Sequence, residues 1–214
     1  MLFILLFIGT AFSFGWLLQC RNRLKIGPAA AAVLAAAHTL VGLLSVKVFA
    51  VLETLDFSKA GNMSLFGGVF FMPVLYLLGA KLFKRKAEDV CDVFSICMIF
   101  TVMCARINCI ISGCCKGKLL PGAETLRWPT REAEIIFYIL LLAFLLPKVW
   151  KEKTKGRSYP IYMIAYGAFR FLIEWFRESD SASGIHIAHM WSIIALCIGL
   201  SIYIELQKKK GGKK

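Results

Sequence analysis

The stretch YPIYMIAYGAFRFLIEWFR, residues 159–177, is greasy enough to cross a bilayer, yet Tyr166, Arg170, Glu174 and Arg177 interrupt it. At 3.6 residues per turn these four positions fall within an arc of roughly 80° on one helical face. Ionisable groups in an apolar segment are costly unless they pair or face a polar cavity. The stripe therefore marks a polar site inside a bundle of membrane helices.

The rest of the chain agrees. It has 214 residues, is 58% hydrophobic and contains 17 Phe, with a mean hydropathy of +0.69. Seven uncharged runs are separated by short charged links: Leu2–Leu18, Ala29–Leu52, Leu65–Ala80, Val90–Ile111, Ile135–Pro147, Tyr159–Phe176 and Ala188–Leu206. The expected fold is all-α: a polytopic bundle of seven transmembrane helices, with six as the alternative. The fifth run has 13 residues, short of the roughly 20 a spanning helix needs. It suffices if Arg131, Glu132 and Glu134 lie in the interface or face a protein-lined cavity. A single membrane domain over residues 1–207 is expected, followed by a disordered basic tail over 208–214.

The net charge of +13 reads as topology rather than as a nucleic-acid surface. Links one, three and five and the tail hold 17 of the 26 Lys and Arg, whereas links two and six hold one each, Lys59 and Arg177. Basic residues concentrate on the cytoplasmic side, so the N-terminus is expected outside and the C-terminus in the cytoplasm. The first run is not read as a cleaved leader, because its positive cluster (Arg21, Arg23, Lys25) follows the apolar core rather than preceding it.

With that topology the polar pieces of four runs gather on the outer side: Arg106 to Gly117, Asn62 to Gly68, Arg170 to Arg177, and His186 to His189. Arg106, Arg170 and Arg177 with one acid, Glu174, leave surplus positive charge in a low-dielectric site. Its natural guest is an anion, and the planar guanidinium fork suits phosphate. In the outer leaflet the abundant phosphate is that of phospholipid headgroups.

At these residues the chain resembles the prolipoprotein diacylglyceryl transferase family. Residues 166–177, YGAFRFLIEWFR, resemble its Y-G-x-x-R-F-x-x-E-F-x-R segment, and residues 105–117, ARINCIISGCCKG, resemble G-R-x-G-N-F-x-N-x-E-x-x-G. Pro129-Thr130-Arg131-Glu132-Ala133 is similar to P-T/S-Q-x-Y-E-A, and Ala188-His189-Met190-Trp191-Ser192 lies where the family reads G-Q-x-x-S. The resemblance implies seven spans with an outside N-terminus in a bacterial inner membrane. It also implies transfer of a diacylglyceryl group from phosphatidylglycerol to a cysteine thiol of an exported lipoprotein precursor, with no cofactor and no metal. The partners implied are that lipid, that precursor peptide and the membrane, not nucleic acid.

The departures fall on the acceptor side. The family's histidine before Gly67-Gly68 is Phe66 here, its signature asparagine is Cys109 and its signature glutamate is Cys114. Arg106, Gly113, Gly117, Tyr166, Arg170, Glu174 and Arg177 match the pattern. The family reaction displaces a phosphate monoester from a glycerol carbon, so arginines that hold the developing charge lower the barrier. Arg106, Arg170, Glu174 and Tyr166 are the expected catalytic set. Arg177, Cys109, Gly113, Cys114, Gly117, His189, Gly67 and Gly68 are expected to line the substrate site. A base must generate thiolate, and without the histidine the candidates are Glu174 and His189. The runner-up reading is a phospholipid-binding or transport protein that keeps the anion pocket without the chemistry. A third is a family enzyme with another acceptor.

Of eight Cys, Cys109, Cys114 and Cys115 lie toward the outer side, where pairing of Cys109 with one of the other two is open. Their spacing fits no standard metal-ligand pattern, so weak dependence on chelators is expected. His38, deep in the second run, is expected to bond a neighbouring helix carbonyl. Gly67, Gly68 and Gly167 also suit close helix packing.

Overall fold

The computed structural model describes residues 1–55, 63–122, 124–178 and 186–211. Lys59, Asn62 and Ile185, and the last three residues of the expected tail, lie outside them. Among the described residues eight helices follow one another: α1 Leu2–Gln19, α2 Arg21–Leu24, α3 Pro28–Thr54, α4 Phe66–Leu82, α5 Ala87–Ser112, α6 Thr130–Trp150, α7 Ser158–Glu174 and α8 Ile187–Gly211. The fold is all-α; among the described residues the extended pairing consists of two isolated bridges, Gly117 with Arg177 and Leu119 with Arg127.

Among the described residues five helices (α1, α3, α5, α6 and α8) are long and apolar enough to cross a membrane, and α4 is a shorter apolar helix. α7, the sixth expected span, has 17 residues and is not among them, because its face of Tyr, Arg and Glu lowers its hydropathy. That face is buried by neighbouring helices: Tyr162, Tyr166, Arg170 and Glu174 all lie inside the protein.

Large apolar side chains such as Phe3, Phe7, Leu40 and Leu140 point outward, as a lipid solvent permits. α5 is the central post, with Val90 through Ile99 buried without a break; it packs against α1, α4, α6 and α7. α7 and α8 form the most intimate pair. There a Cβ on Gly167 would stand 2.7 Å from the Ser192 carbonyl oxygen and 2.8 Å from the Leu196 amide nitrogen. Only hydrogen fits, and the backbones approach accordingly. Gly67 does the same for α4 against the Ser45 carbonyl of α3.

Two expectations change in detail. The fifth run is a full helix of 21 residues, α6, because Glu134 turns inward and is buried while Arg131 and Glu132 remain partly exposed. At the other end, α8 continues through Lys208 and Lys209 to Gly211, so part of the expected tail is helical. Exposed lysines are good helix formers and need no core to continue a helix already nucleated.

One end of the bundle is tied by a buried acid that the sequence reading passed over. Asp92 of α5 is fully buried and accepts from Arg23 Nη2 at 3.1 Å, Thr154 Oγ1 at 2.7 Å and the Gly156 amide at 2.8 Å. The Ser158 amide at 3.2 Å and hydroxyl at 2.5 Å complete its shell. Arg23 also reaches Asp89 at 2.6 Å and the Val149 carbonyl at 3.0 Å. This network locks α2, α5 and the α6–α7 connection together.

Candidate functional site

The other end of the bundle gathers the sequence-predicted charges. Arg106 lies near the end of α5, and Arg170 and Glu174 are one turn apart on α7, with Arg177 just beyond. All three arginines converge on one carboxylate, Glu134 of α6. Arg106 Nε stands 2.9 Å from Oε2, Arg170 Nη1 3.2 Å from Oε1 and Arg177 Nη1 3.4 Å from Oε1. Glu174 Oε2 lies 2.7 Å from Arg170 Nη2 and 3.8 Å from Arg177 Nε. The two guanidiniums from α5 and α7 thus meet across a shared acid, with packed hydrocarbon excluded from between them.

Sequence reasoning counted one acid here; the structure supplies Glu134 as a second. Counted from Pro129, the P-T/S-Q-x-Y-E-A pattern puts its glutamate at position 134, a signal that was available in the chain. Three arginines and two glutamates leave one net positive charge, which a third acid offsets where it is ionised. A third acid lies close by: Glu53, at the end of α3, sits beside Ser64 and Trp191 within electrostatic range of Arg170 and Glu174.

Several polar atoms here are buried without an aligned partner. Arg106 Nε and Glu134 Oε2 are in ionic contact without hydrogen-bond alignment, and the same holds for Glu174 Oε2. The Tyr166 hydroxyl and His189 Nε2 are likewise unsatisfied. Native interiors rarely leave such groups unpaired except at working sites. Phe66, at the position of the family histidine, packs edge-on against the Tyr166 ring with centroids 5.6 Å apart. The substitution therefore changes the chemistry of the site while keeping its shape filled.

His189 is 3% exposed, flanked by the rings of Phe171 and Trp175 at 5.3 and 4.8 Å. Its Nδ1 accepts the His186 amide at 3.1 Å. Gly67 and Gly68 serve helix packing; the Gly68 carbonyl accepts the Tyr159 hydroxyl at 3.2 Å. His38 bonds the Cys97 backbone of the neighbouring helix α5, as expected, and its Nδ1 also pairs with the Tyr76 hydroxyl of α4 at 3.1 Å.

The loop after α5 closes over this end. Gly113 caps α5 at φ +70°, and Cys115 also takes a left-handed conformation at φ +58°. The Lys118 amide donates to the Phe176 carbonyl at 2.8 Å and the Glu178 amide to the Lys116 carbonyl at 3.0 Å, stapling the loop to the end of α7. A Cβ on Gly117 would run into the Trp128 carbonyl, which explains the glycine. All eight cysteines are free thiols. The Cys115 thiol is held well below its usual range, first by the neighbouring Cys109 thiol and then by the charges of Arg177 and Arg106, against the opposing effect of burial.

An apolar groove of about 310 Å³ opens between α7 and α8, walled by Gly167, Phe171, Leu172, Ser192, Ile193 and Leu196. A larger groove of about 550 Å³ lies at the opposite end, against Trp16 and Trp150 of α1 and α6.

Fold and site together define a multi-helix membrane protein with a buried cluster of arginines and glutamates at one end of its bundle. The chain belongs to the prolipoprotein diacylglyceryl transferase family, whose model matches residues 5–205. It is 32% identical over 124 residues to phosphatidylglycerol–prolipoprotein diacylglyceryl transferase 2 of Clostridium perfringens, covering 51% of this chain and 48% of the relative. It is 26% identical over 170 residues to the Pasteurella multocida protein of that name, covering 72% and 63%. The Mannheimia succiniciproducens protein is 29% identical over 143 residues, covering 62% and 53%. The chain spans about half to just under two thirds of the length of these relatives.

Proposed function

We propose that the chain is a phosphatidylglycerol-dependent diacylglyceryl transferase acting on a cysteine thiol of an exported lipoprotein precursor. The observation that carries this is the meeting of Arg106 and Arg170 on Glu134 in a chain of this family. The relatives named above carry that activity in their names, and the site chemistry suits it. Arg106 and Arg170 bind the lipid phosphate, and Arg177 forms the mouth. Glu134 and Glu174 hold the guanidiniums in register, and the Tyr166 hydroxyl donates to the phosphate or the glycerol oxygen. The groove between α7 and α8 takes an acyl chain. As the thiolate attacks the glycerol carbon, the carbon–oxygen bond breaks and its electron pair leaves with the glycerol phosphate. The arginines neutralise the charge that grows there.

In this reading residues 1–207 form one domain that crosses a bacterial inner membrane seven times, α7 included, with the N-terminus outside and the C-terminus in the cytoplasm. The arginine end then faces the extracytoplasmic leaflet. The alternation supports it: the ends of α3, α5 and α7 and the starts of α4, α6 and α8 share the arginine end, while the basic links lie at the Asp92 end.

Phe66 supports a second reading, a lipid-binding protein without the transfer step. Labelled phosphatidylglycerol and a lipobox peptide separate the two. Arg170→Ala is expected to lower transfer by at least about 100-fold, the scale of losing one donor to a developing oxyanion. Lipid binding without transfer by the intact protein selects the second reading, and headgroup release without peptide modification selects a different acceptor.

A further inference from the structure

The chain turns sharply after α5: Gly113 at φ +70° and Cys115 at φ +58° fold the loop back on the helix end. Left-handed geometry is costly for a non-glycine residue, and such strain concentrates at functional positions. Its result is that the sulfurs of Cys109, Cys114 and Cys115 all lie within 4.8 Å of one another. The Cys114 sulfur also receives the Ser112 hydroxyl at 3.2 Å. The linear spacing, four residues between Cys109 and Cys114 and then an adjacent Cys115, resembles no standard ligand motif. Folding makes the constellation.

Three sulfurs in one cluster suit a metal better than a disulfide. Adjacent Cys114 and Cys115 bridge only through a strained ring, and any pairing with Cys109 leaves one thiol over. Tetrahedral zinc with zinc–sulfur bonds of about 2.3 Å sets sulfurs roughly 3.8 Å apart, so each pair need close by no more than about 1 Å. Three thiolates on a divalent cation carry one net negative charge. Arg106 and Arg177 lie within electrostatic reach of Cys115, and Arg106 of Cys109, so that charge is matched. Among the described residues no His, Asp or Glu joins the cluster. Three protein ligands and one open position is the arrangement of catalytic rather than structural zinc.

We propose that Cys109, Cys114 and Cys115 bind a thiophilic divalent cation, zinc by preference, whose fourth position takes the acceptor thiol. This deepens the transferase reading and rests on it. A coordinating thiol is deprotonated outright, so the metal does the work of the base that Phe66 cannot. The acceptor thiol gives its proton to solvent on binding. Its sulfur then attacks the glycerol carbon to form the thioether, and the glycerol phosphate departs with the carbon–oxygen electron pair toward the arginines. The expectation of weak chelator dependence is thereby reversed: distance in space, not spacing in sequence, sets ligand geometry.

The test uses the full chain in detergent, reduced and free of oxygen, titrated with cobalt(II). A thiolate-to-cobalt charge-transfer band saturating at one equivalent, displaced by zinc, is expected. The band should be lost in Cys109→Ser and in Cys115→Ser but kept in Cys197→Ser, whose thiol is exposed on α8, with far-ultraviolet circular dichroism confirming that all three variants fold. Chelation should abolish transfer to a lipobox peptide and added zinc restore it, while phosphatidylglycerol binding persists. Transfer that proceeds with no metal bound, or three cysteines that give a disulfide and no cobalt band, overturns the proposal and leaves the transferase reading standing. A cobalt band without any transfer to the peptide upholds the metal site and removes the transferase reading instead.

Discussion

Glu134→Gln changes one oxygen for an amide nitrogen at the point where three arginines meet. At 2.9, 3.2 and 3.4 Å and an effective dielectric of about 20, each pair contributes about 5 kcal/mol of gross attraction. Most of that offsets the desolvation of the ions. Breaking such a buried cluster by removing one partner costs about 3–5 kcal/mol, because the remaining charges lose their counter-ion. Glu134 is 3% exposed, so water cannot substitute. For a chain of this length the loss corresponds to a fall in unfolding midpoint of about 6–20 °C, read by a thiol-independent thermal melt in detergent. Adding Arg106→Gln to the Glu134→Gln background should recover part of the loss, since the double variant buries fewer unpaired charges. Transfer activity should fall in Glu134→Gln even below its melting point, because Arg106 and Arg170 lose their common anchor. A variant that melts within about 2 °C of the parent and retains full activity refutes the reasoning, and the three short distances would then be incidental.

Asp92→Ala should destabilise by a similar amount, about 3–5 kcal/mol, since it strips the buried counter-ion from Arg23 and four further hydrogen bonds; a melt that leaves lipid binding intact at low temperature locates the effect at the far end of the bundle. Gly167→Val should cost about 1–3 kcal/mol by overpacking the α7–α8 contact, because the clash is with Ser192 and Leu196 backbone and cannot be relieved by a rotamer; an unchanged melting midpoint contradicts that packing. The Glu178 carboxylate, 2.7 Å from Arg127, is held below the usual carboxylate range by the hydrogen bond and charge of Arg127. Its folded value being depressed, the contribution is complete above the unfolded carboxylate range of about 4.3 and is lost as pH falls through the folded value. Amide exchange in residues 116–122 and 124–128, corrected for intrinsic rate, should therefore increase on acidification below about pH 4, and Arg127→Gln should remove that dependence.

Much of the bundle was legible because membrane helices announce themselves locally. Each of the seven apolar runs is a helix, and the stripe on residues 166–177 correctly marked a buried polar face. Helical periodicity is a property of neighbours in sequence, so the alignment of Tyr166, Arg170, Glu174 and Arg177 needed no tertiary information. The same polar face that revealed α7 as a site leaves this helix outside the five that are long and apolar enough to cross a membrane, although the run that contains it reads as a span. The first helix and α5 were bounded to within a few residues, since charged links end apolar runs abruptly.

What the chain could not declare were relations between residues far apart. For Glu134 the sequence leaves open the interface or a protein-lined cavity, because hydropathy does not separate a carboxylate beside Arg131 and Glu132 from its neighbours; only the docking of α6 on α5 and α7 makes it the hub. Asp92 and Arg23, 69 residues apart, are in the same position. The spacing of Cys109, Cys114 and Cys115 argued against a common ligand, and a left-handed turn brought their sulfurs together. Local pattern determines which segments are helices and which face is polar, because those follow from the period of the backbone and the cost of bare charge in hydrocarbon. Which charges meet, and around what, is decided by packing, because Coulomb and coordination energies depend on distances that the order of residues does not contain.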